Sequence, residues 1–110
     1  MLVLINPFEV APEVSDAEFL EGWQRAADFL QGQPGFVGSA LHRAVSPDPR
    51  FRFVNVAEWE SAEAFRAAVG SPQFAEIARR STSASHPALY QIVRTISATL
   101  PVSAGEGVPS

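Results

Sequence analysis

Phe51-Arg52-Phe53-Val54-Asn55-Val56-Ala57-Glu58-Trp59-Glu60, running into Ser61-Ala62-Glu63-Ala64-Phe65, decides the fold of this chain. It reads as a β-strand that ends in a tryptophan and passes at once into an amphipathic helix capped by Ser61. Successive strand side chains alternate, so Phe51, Phe53, Asn55, Ala57 and Trp59 share one face. Four of these belong in a core and Asn55 does not. A buried amide without partners costs about 1–3 kcal/mol, so Asn55 is either satisfied by backbone, as at a bulge, or turned toward a ligand. A polar group on an aromatic wall is the make-up of a small-molecule pocket.

Upstream, Leu2 to Phe8 reads as a first strand. Pro7 withholds a ladder donor, which predicts an edge position or a strand end there. Ser15-Asp16-Ala17-Glu18 is a capping box, and Phe19, Trp23, Ala26 and Leu30 form one apolar helical stripe that stops at Gln33-Pro34-Gly35. Phe36 to Ala44 predicts a second strand, and Ser46-Pro47-Asp48-Pro49 a loop. Downstream, the Ser61 helix runs to Val69 and ends at Gly70. Ser71-Pro72 starts another, with Phe74, Ile77 and Ala78 inward and Arg79-Arg80 at its C-terminus. Pro87 to Thr99 predicts the fourth strand. Residues 1–100 form the expected domain, and the Pro-, Gly- and Ser-rich residues 101–110 an expected disordered tail.

The order β-α-β-β-α-β, with the second helix broken in two, is the ferredoxin-like split βαβ arrangement. It predicts an α+β fold with an antiparallel four-stranded sheet and helices on one face. Val54 and Val56 leave the other face apolar, and the economical cover is a second copy, so a homodimer is expected.

Composition removes several chemistries. The 110 residues contain no cysteine, which excludes disulfides, thiolate metal sites and cysteine nucleophiles. All eight basic residues are arginine, so no lysine Schiff base can form. The net charge of −4 offers no footprint for nucleic acid or an anionic membrane. No apolar run approaches a membrane span, and Met1 to Ile5 is too short for a secretory core, so a cytoplasmic protein is expected. Neither histidine, His42 or His86, has a carboxylate at helical ligand spacing, and there is no Gly-rich phosphate loop. No metal and no nucleotide or flavin cofactor is therefore expected.

Any catalysis then rests on Asn, Trp, Arg, His, Tyr and water. Asn55 is the first candidate, as a holder of a substrate oxygen or a stabiliser of an enolate or peroxide anion. Trp59 either walls an aromatic substrate and donates its indole N–H, or locks strand to helix. Asn6 faces the same cavity or caps its strand before Pro7. Arg79 reaches a phenolate at the pocket mouth or is a solvated helix-end cation. His86 is a pH-matched general base or an exposed loop residue. Trp23, Phe53, Phe65, Phe74 and Tyr90 complete the expected pocket wall, with packing as the alternative, and His42 belongs on the surface or at a dimer contact.

The stretches Leu4-Ile5-Asn6-Pro7-Phe8, Gln33-Pro34-Gly35-Phe36 and Phe53 to Trp59 with Ala64-Phe65 resemble the antibiotic biosynthesis monooxygenase domain, over roughly residues 2–97. The resemblance implies a dimeric α+β barrel with a pocket between the sheet and helices of each subunit. Its best-understood members oxidise aromatic polyketides such as anthrones to quinones with O₂ and no cofactor. Asn55, Trp59 and Arg79 are similar to an Asn, a Trp and an Arg of the actinorhodin-type members. Phe65 stands where that type has a tyrosine, and lacks its hydroxyl. The implied chemistry is substrate-driven, with Trp59 stacking or donating, Asn55 holding an oxygen, Arg79 lowering a phenol pKa and His86 or water taking the proton. In the haem-degrading branch Asn6 matches the asparagine, but Ala68 and Ala78 fall at the Trp and His positions, so haem is not expected. An isomerase or cyclase on a small reactive carbonyl compound, or a non-catalytic small-molecule-binding dimer, are the other readings of the same pocket.

Overall fold

The computed structural model describes residues 1–100; the tail expected to be disordered, residues 101–110, lies outside them. In chain order the elements are β1 (Leu2–Glu9), α1 (Asp16–Leu30), β2 (Phe36–Arg43), β3 (Phe53–Trp59), α2 (Ala62–Val69), α3 (Pro72–Arg79), β4 (Ala84–Ser85) and β5 (Ala88–Tyr90). The strands form one open antiparallel sheet in the order β2-β3-β1-β4, with β5 also paired to β1. This is the ferredoxin-like α+β arrangement, with the helix after β3 divided into α2 and α3 at Gly70-Ser71.

The helix starts are set by their caps. Ser15 Oγ accepts from the Glu18 N–H while Glu18 Oε1 accepts from the Ser15 N–H, a complete capping box. Ser61 and Ser71 likewise accept from Ala64 and Phe74, and Pro72 opens α3. Gly35, in the turn from α1 to β2, packs against the start of α2. Its φ is +85°, its carbonyl accepts from the Glu60 N–H at 2.8 Å, and a Cβ there would fall 2.4 Å from that of Ala64.

Two strand expectations need correction. Pro7 does not mark an edge, because β1 is paired on both sides. Its carbonyl accepts from the His86 N–H, so the side on which residue 7 lacks a donor faces the break between β4 and β5. Pro87 also lacks a donor and lies in that break, so the ladder is interrupted where both strands have nothing to give. The fourth strand, expected over Pro87–Thr99, is therefore two short pieces, Ala84–Ser85 and Ala88–Tyr90. It stops early for a geometric reason. Tyr90 pairs with Val3 in antiparallel register, so β1, which begins at Leu2, has almost no backbone left to pair beyond it. Residues 91–100 continue outside the sheet with Ile92, Val93 and Ile96 largely exposed.

All three helices cover one face. That face buries Leu4, Phe19, Phe53, Ala57, Trp59 and Ala68. Arg52 fixes the loop into α1: its guanidinium donates to the carbonyls of Val14 at 2.6 Å and Ala11 at 2.9 Å and pairs with Asp16. The opposite face presents Val3, Ile5, Val54, Val56, Ala40 and His42, with no helix over it. No helix among the described residues is long and apolar enough to cross a membrane.

Candidate active site

β3 places Phe53, Asn55, Ala57 and Trp59 on the helix-covered face, as the alternation requires. Its neighbours in register fix what surrounds them. Asn55 lies opposite Asn6 on β1 and Leu41 on β2, and Trp59 opposite Leu2 and Phe36. The register shift between Phe36 and Gly38 inserts Val37 as a bulge at the start of β2. Past that bulge, Ser39, Leu41 and Arg43 fall on the covered face.

The result is a small, partly open cavity of about 40 Å³ bounded by Leu4, Trp23, Ala27, Leu30, Phe36, Ser39, Asn55, Ala57 and Trp59. Its walls are apolar except at three points. Trp59 is 1% exposed, packed edge-on against both Phe36 and Phe65, and its Nε1–H is buried without a hydrogen-bond partner among the described residues. Asn55 lies four residues earlier on the same face of β3, with Ala57 between. Its Oδ1 accepts from Ser39 Oγ at 2.6 Å, and no group among the described residues engages its Nδ2. An N–H without an acceptor in an apolar pocket is costly, and it is also what a site for an oxygen acceptor requires.

Trp23 of α1 stands between three concavities. Besides the inner cavity it lines a groove of about 500 Å³ along Gln24, Gln31, Val37 and Gly38, which shares Ala27, Phe36 and Ser39 with that cavity. On its other side lies a cleft of about 280 Å³ between α1 and the end of α3, lined by Phe8, Phe19, Arg25, Ile77 and Arg80 among others.

Of the residues singled out in the sequence, Asn55, Trp59 and Trp23 come together around this cavity. Phe65 packs edge-on against the Trp59 ring and is not among the residues that line the cavity. Phe53 is 3% exposed in a stack with Phe19, and Phe74 packs against Phe29 between α3 and α1. The others lie elsewhere. Asn6 accepts the His86 N–H with its Oδ1 and so ties β1 to the β4–β5 break. His86 contacts Glu9 at 3.3 Å and the edge of Phe51. Arg79 is exposed and paired with Glu76 on its own helix; Arg80, next to it, is the one that lines the cleft. Tyr90 is half exposed on the open sheet face opposite Val3. His42 is on that face too, so neither histidine reaches the cavity, and α3 carries alanine at position 78. These residues offer a bound haem no histidine ligand from the helices.

Sequence reasoning missed Ser39. It carried the same signal as Asn55, a polar residue in phase with an inward apolar one, here Leu41. The bulge at Val37 hid the phase.

Residues 1–80 match the family model described as antibiotic biosynthesis monooxygenase. The chain is 37% identical over 97 residues to deoxynogalonate monooxygenase of Streptomyces nogalater, covering 86% of this chain and 79% of that protein. Among solved structures it is similar to SnoaB, a cofactor-independent oxygenase from Streptomyces nogalater, with a TM-score of 0.74, 34% identity, and 86% and 95% of the two chains covered. It is also similar to the heme-degrader MhuD of Mycobacterium tuberculosis, solved with two hemes in its active site. There the TM-score is 0.66, the identity 27%, and the coverage 88% and 100%.

Proposed function

The chain belongs to the antibiotic biosynthesis monooxygenase family, and we propose that it oxidises an aromatic polyketide-like phenol or anthrone to a quinone with O₂ and without a cofactor. The observation that carries this reading is the pair of free donors, Trp59 Nε1–H and the Asn55 amide nitrogen, beside one apolar cavity. Neither residue carries electrons. Both suit a reaction whose substrate supplies its own reducing power and needs only its developing oxyanion stabilised.

The steps balance without a redox group on the protein. The substrate methylene loses a proton to give a carbanion conjugated with the ring oxygen. That carbanion passes one electron to O₂, leaving a substrate radical and superoxide. Their recombination forms a C–O bond and, with a proton, a hydroperoxide. Breaking the O–O bond with loss of water leaves the new carbonyl: one oxygen atom enters the product and the other leaves as water. Asn55 and Trp59 hold the substrate oxygen or the peroxide anion. Water or a group on the substrate removes the first proton, because His86 and Arg79 lie away from the cavity. This reading sets both aside as catalytic residues.

An inner cavity of about 40 Å³ holds a few atoms, whereas small-molecule sites typically measure about 300–1,000 Å³. The substrate therefore enters by displacing Trp23, which merges the cavity with the adjoining groove. A homodimer belongs to the same reading, supported by the uncovered apolar face of Val3, Ile5, Val54 and Val56.

The test is O₂ uptake by metal-free protein supplied with anthrone, after subtraction of the uncatalysed rate. Stoichiometric quinone is expected. Loss of one oxyanion donor typically costs about 10²–10³ in rate, so Asn55→Ala should fall in that range and Trp59→Phe should also be impaired. Undiminished turnover of anthrone-like substrate without O₂ would mean an isomerase or cyclase instead.

A further inference from the structure

We propose that Ser39 is a positioning residue that fixes which end of the Asn55 amide faces the cavity. This rests on the reading of Asn55 as an oxyanion donor given above. An asparagine side chain can present either its carbonyl or its NH₂ group, and the torsion that exchanges them has a broad, roughly two-fold preference. Nothing intrinsic to Asn55 selects the donor. The selection comes from its neighbour.

Ser39 pairs across the ladder with Ala57, and Leu41 with Asn55, which makes Ser39 and Asn55 diagonal neighbours on the covered face. The Ser39 hydroxyl donates to Asn55 Oδ1 at 2.6 Å, the short end of the O–H···O range. With its carbonyl so engaged, the amide turns Nδ2 away from Ser39. Both residues line the same cavity as Trp59, whose Nε1–H is unpartnered. In the proposed reading both N–H donors serve one acceptor. Removal of the hydroxyl lets the amide rotate and place its carbonyl oxygen where an oxyanion forms, which repels it.

The consequence is selective. A flipped amide harms the charged transition state and leaves binding of the neutral substrate nearly intact, so kcat falls and KM does not rise. A hydrogen bond worth about 1 kcal/mol corresponds to about a fivefold loss, and added repulsion from the carbonyl takes this to about tenfold.

The experiment measures kcat and KM for anthrone oxidation in Ser39→Ala, Ser39→Thr, Asn55→Ala and the Ser39→Ala/Asn55→Ala pair. Expected are about a tenfold lower kcat in Ser39→Ala with KM within about twofold, and recovery of most of that loss in Ser39→Thr, which keeps the hydroxyl. In the Asn55→Ala background, Ser39→Ala should have no further effect, since no amide remains to orient. An unchanged kcat in Ser39→Ala beside an impaired Asn55→Ala overturns the positioning role alone. So does an equal loss in both backgrounds, which would mean that Ser39 acts independently. Full activity in Asn55→Ala overturns the donor reading and the role of Ser39 with it.

Discussion

The ring of Phe19 on α1 lies flat on that of Phe53 on β3, with centroids 4.3 Å apart and planes 4° from parallel. Phe8 meets the Phe19 ring edge-on at 5.0 Å. This trio pins the helix layer to the sheet beside the cavity and does not open into it. Truncation of a buried phenylalanine typically costs about 3–5 kcal/mol, so Phe53→Ala should lose that much stability in urea unfolding. Phe53→Leu keeps most of the volume. It should retain the parent's KM for anthrone, whereas a rise of several-fold would return Phe53 to the substrate wall.

Gly35 tests how far the entrance to α2 depends on one backbone conformation. Any L-residue there must adopt φ +85° and place its Cβ 2.4 Å from that of Ala64. Strain at such a position costs about 1–3 kcal/mol, and the clash adds to it. Gly35→Ala should therefore be destabilised by at least about 2 kcal/mol in thermal or chemical unfolding. A variant within 0.5 kcal/mol of the parent, the usual range of about ±0.5 kcal/mol for a neutral surface change, would show that the turn has another conformation available.

Val56 sits at the middle of the uncovered sheet face, between Ile5 on β1 and Ala40 on β2. If two copies meet there, an unpaired charge at its centre must be desolvated on association. Val56→Arg should then sediment as a monomer at concentrations where the parent is a dimer, with little change in its helix content. A parent that is itself monomeric would remove the dimer, and a variant that stays dimeric would move the interface elsewhere.

The sequence disclosed the elements whose signals are local. The Ser15–Glu18 capping box, the Ser61 and Ser71 caps and the Pro-Gly turn at 34–35 each act within a few residues, and each stands where expected. The face shared by Asn55 and Trp59 was legible for the same reason, since strand alternation needs no knowledge of the partner strand. What failed was non-local. Whether Pro7 is tolerated depends on a break opposite it that only the pairing reveals, and the end of β5 is set by where β1 begins, some ninety residues earlier in the chain. Where Arg79, His86 and Tyr90 point was not legible for the same reason. A helix-end cation, a linker histidine and a strand tyrosine have no intrinsic direction, and here Glu76, Glu9 and the open sheet face claim them.

Trp23 carries the most demanding consequence of the geometry. It lines both a cavity too small for fused rings and a groove large enough to receive them. If the substrate enters by displacing Trp23, as proposed, binding waits for the indole to move. A non-reactive hydroxyanthraquinone, mixed rapidly with the parent protein, should bind at an observed rate that levels off as its concentration rises, because opening becomes limiting. In Trp23→Ala the wall is gone. The rate should then climb linearly with concentration, and affinity should rise if opening was unfavourable in the parent. Trp23→Phe, which leaves a smaller ring in place, should fall between the two. Linear rates of equal slope in the parent and Trp23→Ala would show that ligand never passes this residue, and would point to the cleft at Arg80 as the route.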